Sequence, residues 1–194
     1  MAINVELESL TTKSRFVTST YVDRNGIPSV VSSELPMPIV DINHLRLHEG
    51  RAYYAYKLYP YASMLPAGAS VNIAMAFATG VKAHLAYDAS CGGDAEMYLY
   101  ENAVVSGGTA FTAVGRNRTI ATASQSAILI NPTVTSVGTL LDEQFVAGGV
   151  GKKAGGGNTS ATEQVFSPLT TYLFRLTNVN GTAHMAHLHI EWYE

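Results

Sequence analysis

The sequence predicts an all-β protein, an antiparallel sandwich or jelly roll of about eight strands with an extended N-terminal arm. Short apolar runs alternate with turn signals along most of the chain, and no window of a dozen residues shows a helical stripe. Tyrosine supplies 11 of the 18 aromatic residues, and aromatic residues favour strands. The 194 residues can bury a core without disulfides, and the single cysteine, Cys91, excludes a disulfide framework within the chain.

The first 40 residues are predicted to form the extended arm. They carry scattered apolar residues, including Phe16 and Tyr21, without a sustained period of 3.6. Prolines such as Pro28 bias the preceding residues toward extended backbone. Because the segment is too apolar for a solvated tail, we expect it to lie against its own body or a neighbouring subunit. The alternative is an ordinary first strand followed by a loop.

Residues 41–194 are predicted to form the sandwich or jelly-roll body. The run at 52–59 alternates like a strand, and this places Tyr54 and Tyr56 on one face and Tyr53 and Tyr59 on the other. One face suits the core and the other a contact surface. Further strand candidates lie at 69–79, 81–88, 96–101, 109–114, 119–131, 133–145, 170–178 and 185–193. The glycine-rich run at 148–157 is predicted to be a mobile, solvent-facing loop.

The dense tyrosines after residue 52 favour a protein interface over a purely internal packing role. Tyrosine covers surface at low entropic cost and keeps a hydroxyl for pairing. Two arginines in a predicted turn could capture a carboxylate of an adjoining subunit, although an ordinary solvated turn fits as well. The interface residues that these patterns predict are Phe16, Tyr21, Tyr53, Tyr59, Arg116 and Arg118.

Composition argues against several classes of partner. Only 14% of residues are charged, against about a quarter in an average soluble domain, which suits a subunit that buries much of its surface. The net charge of −3 offers no dense positive field for nucleic acid. No window reaches the roughly 18 apolar residues of a membrane span, and the N-terminal residues do not resemble a secretory signal. We expect a cytosol-like compartment.

Histidines form the one group that suggests metal chemistry. His187 and His189 lie two apart on a predicted strand, close to His184, and could combine with His44 or His48, which are spaced by four. The other interpretation is rim or interface groups that hydrogen-bond to the main chain. Since no Asp or Glu is placed to complete a catalytic shell, we predict neither a metal nor a cofactor.

Two catalytic motifs fail on inspection of the sequence. Lys152 lies in a glycine-rich run, but Val146 and Lys153 occupy positions where a phosphate loop requires glycine and Ser or Thr. No Gly-x-Ser-x-Gly elbow is present. We therefore predict no catalytic residue and a protein that is not an enzyme. The alternative is a small cupin-like metalloenzyme built on the histidines.

Several motifs together resemble a family of small virion proteins encoded among the head genes of tailed bacteriophages. They are HLRLHEGRAY at 44–53, GRNR at 115–118, GTLL at 138–141, FSPLTTYLF at 166–174 and EWYE at 191–194. The resemblance spans the chain from about residue 41 to its end. It implies a β-rich minor capsid component that decorates or cements the head shell, with no catalytic residues.

The resemblance also implies partners and a location. The expected partners are the major capsid protein, other copies of the chain, or both, in a homo-oligomer such as a trimer or dimer. The expected location is the head surface of the virion, after assembly in the host cytoplasm. A tail, baseplate or fibre module that binds a host surface through exposed tyrosines is the alternative within the virion.

Overall fold

The protein divides into two compact units, residues 1–41 and 42–194, where the predicted boundary lay between residues 40 and 41. The computed structural model describes residues 3–7, 16–22, 28–30, 42–120, 122–148, 156–158 and 163–194. Side chains are described within 44–120, 122–148 and 163–194. The described chain is nearly all β, which confirms the predicted fold class.

The first unit contains three strands that pair with one another. They are β1 (Ile3–Leu7), β2 (Phe16–Val22) and β3 (Pro28–Val30), in the antiparallel order β1-β2-β3. Phe16 is paired with Leu7, and Tyr21 with Ser29. The side chains of Phe16 and Tyr21 lie outside the described part of the chain, so their interface role stays a prediction.

The second unit contains one helix, one short 3-10 turn and 14 strands within its described residues. The helix α1 is Ile42–His48 and the 3-10 turn is Tyr61–Ser63. The strands are β4 (Ala52–Tyr59), β5 (Ser70–Phe77), β6 (Ala83–Cys91), β7 (Ala95–Glu101), β8 (Val104–Ser106), β9 (Thr109–Ala110), β10 (Val114–Gly115), β11 (Ser126–Ile130), β12 (Thr133–Ser136), β13 (Thr139–Val146), β14 (Gly156–Asn158), β15 (Gln164–Phe166), β16 (Thr171–Asn178) and β17 (Ala186–Tyr193).

Most of these strands form two antiparallel sheets. The front sheet has the order β10-β4-β17-β6-β14, and β15 pairs with β6 beside β14. The back sheet has the order β13-β7-β16-β5-β11-β9. If β4, β5, β6, β7, β13, β15, β16 and β17 are numbered one to eight, the front sheet contains strands 1-8-3-6 and the back sheet strands 2-7-4-5. This is the strand order of a jelly roll.

The two sheets share one apolar core, because alternate side chains of each strand point toward the other sheet. On β6, for example, Ala83, Leu85 and Tyr87 are buried. Aromatic rings bridge the sheets: Tyr87 lies 5.4 Å from Phe174, measured between ring centroids. Cys91 is a free, buried cysteine of this core.

Three of the predicted strands differ in their bounds from the strands of the structure. The run at 109–114 gives only the two-residue strands β9 and β10, and β11 begins at Ser126 rather than near residue 119. The run at 133–145 is divided into β12 and β13 at Gly138, which has φ of +81°. A Cβ at Gly138 would lie 2.0 Å from the carbonyl oxygen of Glu101, so only glycine fits this close approach. Most of the predicted glycine-rich loop lies outside the described residues.

Asn178 is the one polar residue buried in the described part of the chain, and its side chain ties three segments together. Its Nδ2 donates to the carbonyl oxygens of Leu65 at 3.0 Å, Pro66 at 3.2 Å and Thr182 at 2.9 Å. Its Oδ1 accepts the backbone N–H of Asn180 at 3.0 Å. The amide therefore fixes the turn before β5 against the turn between β16 and β17.

A second polar contact joins the two sheets. The Tyr87 hydroxyl on β6 donates to the Asp142 carboxylate on β13, and Gln144 Nε2 donates to the same carboxylate at 2.8 Å. Burial and the adjacent Asp142 raise the pKa of Tyr87 above its ordinary value. Tyr87 therefore remains a neutral donor throughout the ordinary pH range.

We expect Asn178→Ala to lower the free energy of unfolding by about 3 kcal/mol, because buried carbonyl oxygens lose their donor. Urea denaturation followed by circular dichroism measures the change. The control is Val179→Ala at a neighbouring side chain that is 45% exposed, where we expect a change within about 0.5 kcal/mol. Equal effects of the two substitutions would contradict the role assigned to the Asn178 amide.

Candidate interaction surface

Tyr53, which was predicted to be an interface residue, lies on the inward face of β4. Tyr53 is 1% exposed and packs in the core, with its ring 5.8 Å from that of Trp192. Tyr56, on the other face, is 42% exposed. The prediction that Tyr53 is an interface residue is therefore wrong. The alternation was correct, but the face that points to solvent is the one with Tyr54 and Tyr56.

Tyr59 lies on the same inward face of β4 as Tyr53, but at the end of the strand, where it is only partly buried. Its hydroxyl accepts a hydrogen bond from Asn131 Nδ2 at 2.9 Å, and the Lys57 ammonium lies 5.2 Å from the centre of its ring. These contacts link β4 to the turn between β11 and β12. The predicted interface role of Tyr59 stays a prediction.

Strand pairing brings tyrosines and histidines together on the outer face of the front sheet. His189 on β17 is paired with Tyr56 on β4 and with Asp88 on β6, and the next row pairs His187 with Leu58 and Ser90. Residues that are paired directly across neighbouring strands point to the same face of the sheet. We name this surface the tyrosine–histidine face and define it as Tyr54, Tyr56, Leu58, Asp88, His187 and His189.

The rings of this face contact one another in a continuous group. Tyr54 lies 6.1 Å from Tyr56 and 5.7 Å from His189, between ring centroids. His187 lies 6.2 Å from Tyr56 and 5.8 Å from His189. Phe111 packs edge-on against Tyr56 at 5.9 Å. The mutual contacts restrict these side chains. The side chains would therefore lose little additional conformational entropy when a partner covers them.

The imidazoles of the face have different electrostatic surroundings. His189 Nδ1 lies 3.1 Å from the Asp88 carboxylate, within hydrogen-bonding distance. Burial lowers the pKa of His187 below its ordinary value, the charge of Asp88 opposes this shift, and the neighbouring His189 adds to it. His187 is therefore a neutral imidazole at pH 7, able both to donate and to accept a hydrogen bond.

A separate polar cluster lies on the same sheet, toward β15. His84 Nδ1 is hydrogen-bonded to the Glu163 carboxylate, and the Tyr193 hydroxyl donates to the same carboxylate at 2.7 Å. The rings of His84 and Tyr193 stack at 4.8 Å between centroids. The shared carboxylate orders both rings and holds the residue that precedes β15 against β6.

The two arginines predicted to capture a carboxylate differ in their surroundings. Arg116 donates from its Nη1 to Glu191 of its own chain at 2.8 Å, so a carboxylate within the chain already occupies one edge of its guanidinium. Arg118 is exposed and makes no ion pair with the described residues. Arg118 is thus the freer of the two to meet a partner.

The histidines predicted as possible metal ligands occupy separate places. His44 and His48 face each other on α1 with their Nε2 atoms 3.0 Å apart, as their spacing predicts, and form a hydrogen bond. The ring of His184 lies beside Thr182, with Nε2 3.0 Å from its hydroxyl. Among the described residues, no three His, Cys, Asp or Glu side chains are placed to hold a metal ion.

The sequence did not identify the tyrosine–histidine face as a unit. The alternation at 52–59 and the spacing of His187 and His189 were both visible, but nothing in the sequence paired β17 with β4. Asp88 was also missed, because it reaches the face only through the register of β6. Position on a shared sheet, rather than any local motif, assembles this surface.

Comparison with protein families, with curated proteins and with solved structures finds no match for this chain. None of its described helices has the length and apolar character needed to span a membrane.

We expect His187 to titrate below about 6.5, the ordinary value for imidazole. The unfolded chain then binds this proton first as pH falls, so the contribution of His187 to stability decreases below that pH. The ring C–H resonances in an NMR titration give the midpoint, and His187→Gln identifies the resonance by its loss. A midpoint at or above 6.5 would contradict the burial of this imidazole.

Proposed function

We propose that this chain is a structural virion protein of a tailed phage, which decorates or cements the capsid shell. The observation that carries the proposal is the tyrosine–histidine face, a connected set of rings on the outer surface of a rigid sheet. Its members Tyr56 and Leu58 are 42% and 49% exposed, as suits residues that a partner covers. Aromatic residues in such positions supply much of the binding energy of protein interfaces.

The composition supports the same proposal, and the fold is compatible with it. The jelly roll occurs in viral capsid proteins as well as in lectins and cupins, so the fold alone does not select the function. With 14% charged residues, the chain is lean in the side chains that keep a monomer solvated. A subunit repeated over a shell also gains retention from many simultaneous contacts, so that modest single affinities suffice.

The N-terminal unit provides a second contact element in this proposal. Residues 1–41 form a unit distinct from the jelly roll, with its own three-stranded sheet. We propose that it contacts the major capsid protein or another copy of the chain. The jelly roll has its own core and does not depend on these residues for its sheets.

A fibre or baseplate module is the second candidate, and one observation favours it. Exposed stacked rings such as Tyr54 and Tyr56 can also pack against the apolar face of a sugar. Electron microscopy of labelled particles distinguishes the two, since the label would lie on the head in one case and on the tail in the other. The metalloenzyme alternative requires His44, His184, His187 and His189 at one site, whereas no three His, Cys, Asp or Glu side chains among the described residues are placed to hold a metal ion. Elemental analysis of the purified protein tests this alternative directly.

We expect the double substitution Tyr54→Ser with Tyr56→Ser to lower occupancy on shells that lack the protein by more than about tenfold, because an aromatic contact surface is removed. Purified variants are added to the shells, and mass spectrometry of sedimented particles measures the bound amount. The control is Tyr61→Ser with Phe145→Ser, two aromatic residues that are 79% and 64% exposed and lie outside the face. Equal loss in both variants would contradict the proposed surface.

We also expect removal of residues 1–41 to leave a folded jelly roll that no longer stays on the particle. Circular dichroism and the melting transition report the fold, and the same sedimentation assay reports retention. Undiminished occupancy would contradict the proposed role of the N-terminal unit, while leaving the tyrosine–histidine face as the contact surface.

A further inference from the structure

A cleft of about 360 Å³ opens between α1, the start of β4, the β5–β6 turn, the segment before β11 and the end of β17. It is separate from the tyrosine–histidine face, since the two share no residue. Its volume is within the range of small-molecule sites, roughly 300–1,000 Å³. The side chains that matter for its chemistry are Arg46, Arg51, Tyr53, Lys82, Gln125 and Glu194.

The cleft concentrates positive charge in a chain whose net charge is −3. Arg46 is paired with Glu49 at 2.8 Å. Arg51 and Lys82 make no ion pair with any described side chain. Two cations that have no ion-pair partner in the described part of the chain lie at the wall of this concave site, and they attract an anion because the surrounding protein focuses their field into the cleft. Arginine and lysine together suit a carboxylate or phosphate group.

Glu194 places a hydrogen-bond acceptor beside the cations of the cleft, so a ligand there should also carry a hydrogen-bond donor. Its Oε1 accepts the backbone N–H of Gln125 at 2.9 Å, while its Oε2 is buried and has no hydrogen-bond partner among the described residues. A buried carboxylate oxygen without a donor is unfavourable, because this oxygen has lost its hydrogen bonds to water and no protein hydrogen bond replaces them. The site therefore lacks one O–H or N–H donor beside Glu194.

Tyr53 lines the cleft and lies near both Glu194 and Arg51. Burial raises the pKa of its phenol, Glu194 raises it further and Arg51 lowers it. The phenol is thus within the electrostatic reach of both the acidic and the basic side of the cleft, and it stays protonated. Its residue is 1% exposed and packs in the apolar core, which holds the ring in place.

We propose that this cleft binds a small molecule that carries both an oxyanion and an O–H or N–H donor. Arg51 and Lys82 hold the oxyanion, and the Glu194 carboxylate turns toward the cleft to accept from the donor, because its enclosed Oε2 gains a partner by doing so. Hydroxylated acids such as sugar acids and zwitterions such as amino acids both have this chemistry. An anion alone leaves Glu194 unpaired, and a neutral polyol leaves the two cations unpaired.

Calorimetric titration of the full-length protein at low salt with four probes tests the two-part recognition. Glucuronate and glutamate carry both groups, acetate carries the anion alone and glucose carries donors alone. We expect glucuronate or glutamate to bind at least about tenfold more tightly than acetate and glucose, a difference of about 1.4 kcal/mol. The tighter of the two identifies a hydroxyl or an ammonium donor. Binding of acetate as tight as that of both larger acids, or no binding by any probe, would overturn the proposal.

Substitutions locate the site. We expect Arg51→Gln and Lys82→Gln each to weaken binding of the preferred probe about tenfold, because exposed charge-assisted contacts are lost. Glu194→Gln should reduce its advantage over acetate. Arg118→Gln is the control, since it removes the same charge at an exposed position outside the cleft. A loss with Arg118→Gln as large as with Arg51→Gln would assign the binding to general electrostatics and overturn the site.

Discussion

The packing of the two sheets against each other determines every other feature of the jelly roll. The inward side chains of β4, β6 and β17 meet those of β5, β7 and β16 in one apolar core. Since side chains alternate along a strand, burial of Tyr53 and Ala55 forces Tyr54 and Tyr56 to the outside. The tyrosine–histidine face is thus a direct consequence of the core, because a shift by one residue would exchange the two faces.

Much of the fold could be predicted from the sequence, because alternation and turn residues are local signals. The strands around Leu85 and Leu176 follow from period-two patterns and from the glycines and asparagines that end them. The division at Gly138 could not be predicted, because it depends on contact with Glu101 far away in the chain. The interface at Tyr53 was assigned wrongly for a related reason: alternation defines two faces but does not say which one is covered.

The candidate sites were less accessible to sequence analysis than the fold. His189 lies beside Asp88 because β17 pairs with β6, although the two residues are 101 positions apart in the chain. Arg51 and Glu194 line the same cleft, although they lie near opposite ends of the second unit. Neither spacing resembles a motif. The jelly roll places its first and last strands side by side, so residues near both ends of the second unit are brought to a common surface.

The segment between β7 and β13 widens both sheets on the same side of the molecule. It adds β10 beside β4 in the front sheet, and β11 with β9 beside β5 in the back sheet. The outermost strands there, β9 and β10, are only two residues long. So short an edge is a poor template for the backbone of another chain, and this flank of the sandwich is therefore protected from strand-to-strand aggregation.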